Sequence, residues 1–201
     1  MTKQQIDRFF RMVARELDQP AWVIVTGAAA ASMWGAARAS LDIDFAMDFS
    51  PVGKGDWAQL ERAVGQAMRI TGIRANYAQD IDKWGQISLL DYRRHTVPYQ
   101  SFRKLEVRVL DPAYWSIGKI SRYLDPDVHD LVAVFKLRKV SLTRRIKLWG
   151  QAMKASPPSS ARTNFGTQAE HFLRSHGRAI WGTKFNPETT AKRFRLALAS
   201  K

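Results

Sequence analysis

Residues 22–47 constrain this chain more than any other stretch. Trp22-Val23-Ile24-Val25 is a short, continuous apolar run and predicts a buried strand. Thr26-Gly27 closes it, and a glycine there lets the backbone turn and approach another group closely. Ala28 to Ala37 is a run of small residues that predicts a helix, with Gly35 near its end. The chain then alternates strictly over 41–47. Leu41, Ile43, Phe45 and Met47 share one face, and Asp42, Asp44 and Ala46 share the other. Two-residue spacing on a strand sets both carboxylates on the same face, roughly 7 Å apart along it. Close carboxylates repel unless a cation lies between them. Hard oxygen donors suit Mg²⁺, which keeps waters and takes substrate phosphates as further ligands. A helix starting at the glycine turn directs its free N–H groups and dipole at the same spot, a natural phosphate cradle.

The surrounding pattern is mixed. Residues 4–17 predict a helix with Ile6, Phe9, Phe10, Val13 and Leu17 on one face. Asp56 caps a helix to about Arg69. Strands are expected at 73–77, 86–92 and 105–110. Asp111-Pro112 and Asp125-Pro126 open two helices, and further helices are expected at 142–154, 165–176 and 187–199. The reading is an α/β (α+β) fold: a short mixed sheet flanked by helices, with a basic helical C-terminal part. Residues 1–140 form the expected first domain. Residues 141–201 form the C-terminal extension, with a linker near 156–160.

Charge is unevenly placed along the 201 residues. Residues 136–201 carry 15 Lys/Arg against Glu170 and Glu188, a net +13, whereas residues 1–135 are close to neutral. A basic surface gathers phosphate polyanions by releasing counterions. The chain has no cysteine, so disulfides and thiolate metal sites are excluded. The longest uncharged stretch, 20–37, is too broken for a membrane span, and the N-terminus does not read as a signal peptide. The expectation is a cytoplasmic protein with no membrane partner. His95, His129, His171 and His176 show no ligand spacing, and Walker, Rossmann and nucleophile-elbow motifs are absent.

The glycine turn followed by Asp42-x-Asp44 resembles the signature of the DNA polymerase β-type nucleotidyltransferase superfamily. More narrowly, it resembles the minimal bacterial AbiEii toxin-like nucleotidyltransferases. Their G-G-x-A and G-x-x-R-x-T/S-x-D-I-D segments are matched by Gly27, Ala30, Gly35, Arg38, Ser40, Asp42 and Asp44. A second segment, KISRYLDPDVHDL, resembles their K-x-x-R…D-x-x-D helix through Lys119, Arg122, Asp127 and Asp130. The resemblance spans roughly residues 5–140. It implies a Mg²⁺-dependent transfer of a nucleoside monophosphate from an NTP to an acceptor hydroxyl, with Mn²⁺ as a substitute metal. Asp42 and Asp44 would hold the metal. Gly27, Ala28, Ala29, Arg38, Ser40, Lys119 and Arg122 would bind the nucleotide. The basic C-terminal part favours an RNA acceptor such as tRNA, with a small molecule or a protein hydroxyl as the other acceptors open to such an enzyme. The toxin-like family implies a toxin–antitoxin role with an antitoxin partner.

Two departures qualify the match. Ala28 replaces the second Gly or Ser of the turn, keeping an N–H but losing a hydroxyl. The third carboxylate, which the family places on a neighbouring strand as V-D-L-L, has no direct counterpart. Ile87-Ser88-Leu89-Leu90-Asp91 puts Ser88 there, and Asp91 is the expected third catalytic acid, given a bulge. Glu106 is the other candidate. Asp80-Ile81-Asp82 repeats the tripeptide without the turn and is expected to be solvated surface. Without a third acid, the alternative is a non-catalytic nucleic-acid-binding protein on a degenerate nucleotidyltransferase scaffold.

Overall fold

The computed structural model describes residues 1–36, 40–50, 55–138 and 141–199. The chain divides into two compact units. Unit 1 comprises 1–81 and 93–111, and unit 2 comprises 82–92 and 112–201.

Unit 1 opens with α1 (Lys3–Arg15), whose N-terminus carries a capping box between Thr2 and Gln5. There follow β1 (Ala21–Thr26), α2 (Gly27–Met33), β2 (Asp42–Phe49), α3 (Trp57–Thr71) and β3 (Arg74–Ala78). Asp56 caps α3 by accepting from Ala58 N at 3.1 Å, and Gly72 ends it in the left-handed conformation. The unit closes with β4 (Thr96–Phe102) and β5 (Leu105–Leu110). The five strands form one mixed sheet in the order β3-β2-β1-β5-β4. β1 is antiparallel to β2 and parallel to β5, while β2 is parallel to β3.

The alternation of β2 becomes two different faces. Ile43, Phe45 and Met47 are buried with Val23, Val25, Val107 and Val109. Phe9 and Phe10 of α1 close on Phe45 with ring centroids 6.2 and 5.6 Å away. α3 packs against α1 and adds Leu60 and Val64 to the core. The opposite face is read from the register, because cross-strand partners point the same way. It carries Trp22, Ile24 and Thr26; Asp42, Asp44, Ala46 and Asp48; Glu106 and Arg108; and Asn76.

Two sequence expectations fail here. No strand forms over 86–92. Ser88 N donates to Ser156 Oγ, Leu89 N to Asp82 Oδ1 and Leu90 N to Ser88 Oγ, so side chains take the donors a ladder would use. Leu90 has a φ of 54°, which no strand residue adopts. Conversely, β4 was not expected. Pro98 interrupts it beside a bulge, a place open to proline because β4 is an edge strand.

Unit 2 contains α4 (Pro112–Arg122), α5 (Asp125–Arg138), α6 (Leu142–Ala155), α7 (Ser160–Trp181) and α8 (Pro187–Ala199). Its core joins Trp115, Phe135, Trp149, Phe165, Phe172 and Phe194, and Trp149 Nε1 donates to Ser116 Oγ at 2.9 Å. Residues 156–160 are a short turn between two helices of this unit: Ser156 caps the end of α6 and Ser159 the start of α7. No described helix is long and apolar enough to cross a membrane.

Candidate active site

Asp42 and Asp44 are half-buried on the open face of β2. β1 ends level with them, since Thr26 pairs with Asp44. Gly27 then turns with a φ of 63° directly against the Asp44 carboxylate. A Cβ on Gly27 would lie 2.0 Å from Asp44 Oδ2 and 2.8 Å from its Cγ. The glycine is thus required twice, for its left-handed backbone and for its missing side chain. α2 starts at Gly27, and Thr26 gives it no side-chain cap. Ala28 and Ala29 form its first turn, and Ala29 is buried.

The sequence did not reveal the residue that joins the two acids. Asn76 of β3 pairs in register with Asp44. Its Nδ2 donates to Asp42 Oδ2 at 3.0 Å and to Asp44 Oδ1 at 2.9 Å. One amide thereby offsets the repulsion between two carboxylates with charge-assisted bonds. Asn76 stands on the strand beside β2, level with Asp44.

The other expected site residues fall as follows. Ser40 is buried, and its Oγ donates to the Asp42 carbonyl at 2.6 Å. It orders the entry to β2 instead of presenting a hydroxyl to a nucleotide. Arg38 lies outside the described residues. Asp91 is exposed in a bend of the 82–92 segment and is not on a strand of the sheet, because that segment spends its donors on side chains. Glu106 shares the open face, but it pairs in register with Trp22, four residues before Thr26. That places it about 13 Å along the sheet from the level of Asp44. Its carboxylate pairs with Arg108 Nη1 at 2.7 Å. Glu106 is therefore not beside the Asp42/Asp44 pair, and Asp91 belongs to unit 2.

Lys119 and Arg122 are committed within unit 2. Lys119 Nζ donates to Asp127 Oδ1 at 2.9 Å and to Asp130 Oδ2 at 2.7 Å, and all three residues are at most 3% exposed. Arg122 grips Asp127 with two bonds of 2.7 and 2.6 Å. Burial alone would raise the Asp127 pKa. Hydrogen bonds from Arg122 and Lys119 and their charges outweigh it, holding the carboxyl below its ordinary range. Lys119 is therefore a structural cation in place of the expected phosphate contact, since a phosphate would have to strip it from two buried carboxylates. Asp82 of the second Asp-x-Asp is also structural: it accepts from Leu89 N and is half-buried.

Among the described residues, no three His, Asp or Glu side chains gather as a metal cage. The donor set at the sheet is two carboxylates and one amide. That set fits Mg²⁺, which needs only one or two carboxylates when substrate phosphates and water complete its shell. A scan against family models finds no match for this chain, and searches of curated proteins and of solved structures find none either.

Proposed function

We propose that unit 1 is a nucleotidyltransferase that moves a nucleoside monophosphate from an NTP to an acceptor hydroxyl. The observation that carries this reading is the contact of Gly27 with Asp44, which brings a helix start and two strand-borne acids to one point. Asp42 and Asp44 would hold Mg²⁺, which when bound neutralises triphosphate charge and acidifies an acceptor hydroxyl. Gly27, Ala28 and Ala29 offer backbone donors to the phosphates. Ser40 and Asn76 fix where the two carboxylates stand. The acceptor oxygen bonds to the α-phosphorus as pyrophosphate leaves, and positioning and electrostatics supply most of the acceleration. The basic residues of unit 2 favour RNA, such as tRNA, as the acceptor.

The test uses each labelled NTP with Mg²⁺ and total tRNA, for the native chain and for Asp44→Ala. Label on RNA that disappears in the variant supports transfer. In the toxin role, expression of the native chain arrests growth and expression of Asp44→Ala does not. One observation favours a second reading. Asn76, not an acid, stands beside Asp44, which suits a scaffold that binds nucleic acid without transferring anything. Salt-sensitive RNA binding with no label transferred from any NTP would select that reading.

A further inference from the structure

The acid-bearing face of the sheet holds a second feature at its other end. A cavity of about 640 Å³ lies over the start of β1 and β5. Its lining includes Trp22, Arg93, Arg103, Lys104, Glu106 and Arg108, four cations against one acid. The Arg93 guanidinium lies 5.3 Å from the centre of the Trp22 ring. That pair alone would be an ordinary surface clamp. The enclosing cavity and the further cations make it a place for a ligand that is both flat and anionic. Arg103 is exposed at the tip of the β4–β5 hairpin. Arg108 is held in place by Thr96 Oγ1 at 2.6 Å and by Glu106 at 2.7 Å. Ser50 and Ser101 also line the cavity, providing partners for a ribose 2′-hydroxyl.

We propose that this cleft binds single-stranded RNA, with a base stacked on Trp22 and the flanking phosphates on Arg93, Arg103 and Arg108. An aromatic platform beside a basic groove is how single strands are held independently of sequence. An acidic peptide would use the cations but leave the ring unused. From Trp22 to the level of Asp44 the sheet runs about 13 Å, and the buried Ile24 and Ala46 lie between, so an RNA end that extends to the acid pair must pass around this covered stretch. That extension rests on the nucleotidyltransferase reading, whereas the binding itself does not.

The test is fluorescence anisotropy of a labelled single-stranded 12-mer RNA with the full chain, across a salt series. Arg93→Ala/Arg103→Glu removes two phosphate contacts. Affinity should fall at least tenfold, and the slope of log affinity against log salt should shrink by roughly 1.4. Trp22→Ala should weaken binding about tenfold, and Trp22→Phe should recover most of it. If Trp22→Ala fails to fold, the arginine pair decides, because both side chains are exposed. Binding by the arginine double variant within twofold of the native chain would overturn the proposal. So would equal affinity for DNA of the same sequence, or equal displacement of RNA by UTP or by oligoglutamate. Asp44→Ala should bind the RNA as the native chain does. Lost transfer with retained cleft binding supports the cleft whatever the fate of the catalytic reading, and NTP transfer with an unchanged RNA KM in the double variant overturns the extension toward the acid pair.

Discussion

Gly27→Ala tests the junction on which the active-site reading depends. Two costs can be separated. The residue has a φ of 63°, and an alanine there carries the left-handed penalty of about 1–2 kcal/mol. The new methyl would also lie 2.0 Å from Asp44 Oδ2, so the carboxylate must swing away. That breaks its 2.9 Å bond from Asn76, a bond to a charged group worth about 1.5–3 kcal/mol. The sum is roughly 2.5–5 kcal/mol. Gly72→Ala is the internal control. Gly72 has a φ of 70° with nothing within 4 Å of its added Cβ, so it carries the backbone cost alone. In an Asp44→Ala background the carboxylate clash is gone and only the 3.0 Å approach to the residue 44 Cβ remains, so Gly27→Ala should fall back most of the way toward the backbone cost of about 1–2 kcal/mol. Chemical denaturation of the four variants and the native chain measures all of this. If Gly27→Ala costs no more than Gly72→Ala, or if removing Asp44 brings no relief, the glycine does not seat that carboxylate and the argument fails.

Asn76→Asp would set a third carboxylate against two others and replace two charge-assisted donors with repulsion. Thermal shift should show a lower melting temperature without metal and a larger rise on adding Mg²⁺ than the native chain gives. Lys119→Met leaves Asp127 and Asp130 buried without their ammonium and should cost about 3–5 kcal/mol in denaturation, with no new RNA- or NTP-binding defect in the folded fraction. The pH dependence of that network has a definite sign. The Asp127 carboxyl is depressed in the folded state, so its contribution is full above the unfolded value near 4 and is lost as pH falls through the folded one. An acid titration of native-state stability should fall below about pH 4, and Asp127→Asn should flatten it.

Much of the fold could be read because its signals are local. The alternation of 41–47 gives a strand with one buried face, and the acids lie on the other. Asp56 announces the start of α3, and the Asp111-Pro112 and Asp125-Pro126 steps announce α4 and α5. What could not be read depends on pairing between distant segments. Asn76 lies more than thirty residues from the acids it joins, and only the parallel register of β2 and β3 brings it level with Asp44. Trp22 belongs to an apolar run that conceals which of its members faces the open side. The 86–92 segment has strand-like composition, yet its backbone donors are claimed by Asp82, Ser88 and Ser156, which no periodicity reveals. Lys119 matched a phosphate-binding pattern, and the two buried acids that hold it lie within that same pattern.

The strand order also dictates when the sheet can be completed. β1 sits at the centre, yet one of its two neighbours is β5, encoded about eighty residues later. On a ribosome, the first three strands emerge with one edge of β1 still unsatisfied. Its Trp-Val-Ile-Val run then presents bare hydrogen-bonding groups until residue 105 arrives. Unit 1 should therefore complete its sheet late during synthesis, when β5 pairs with β1.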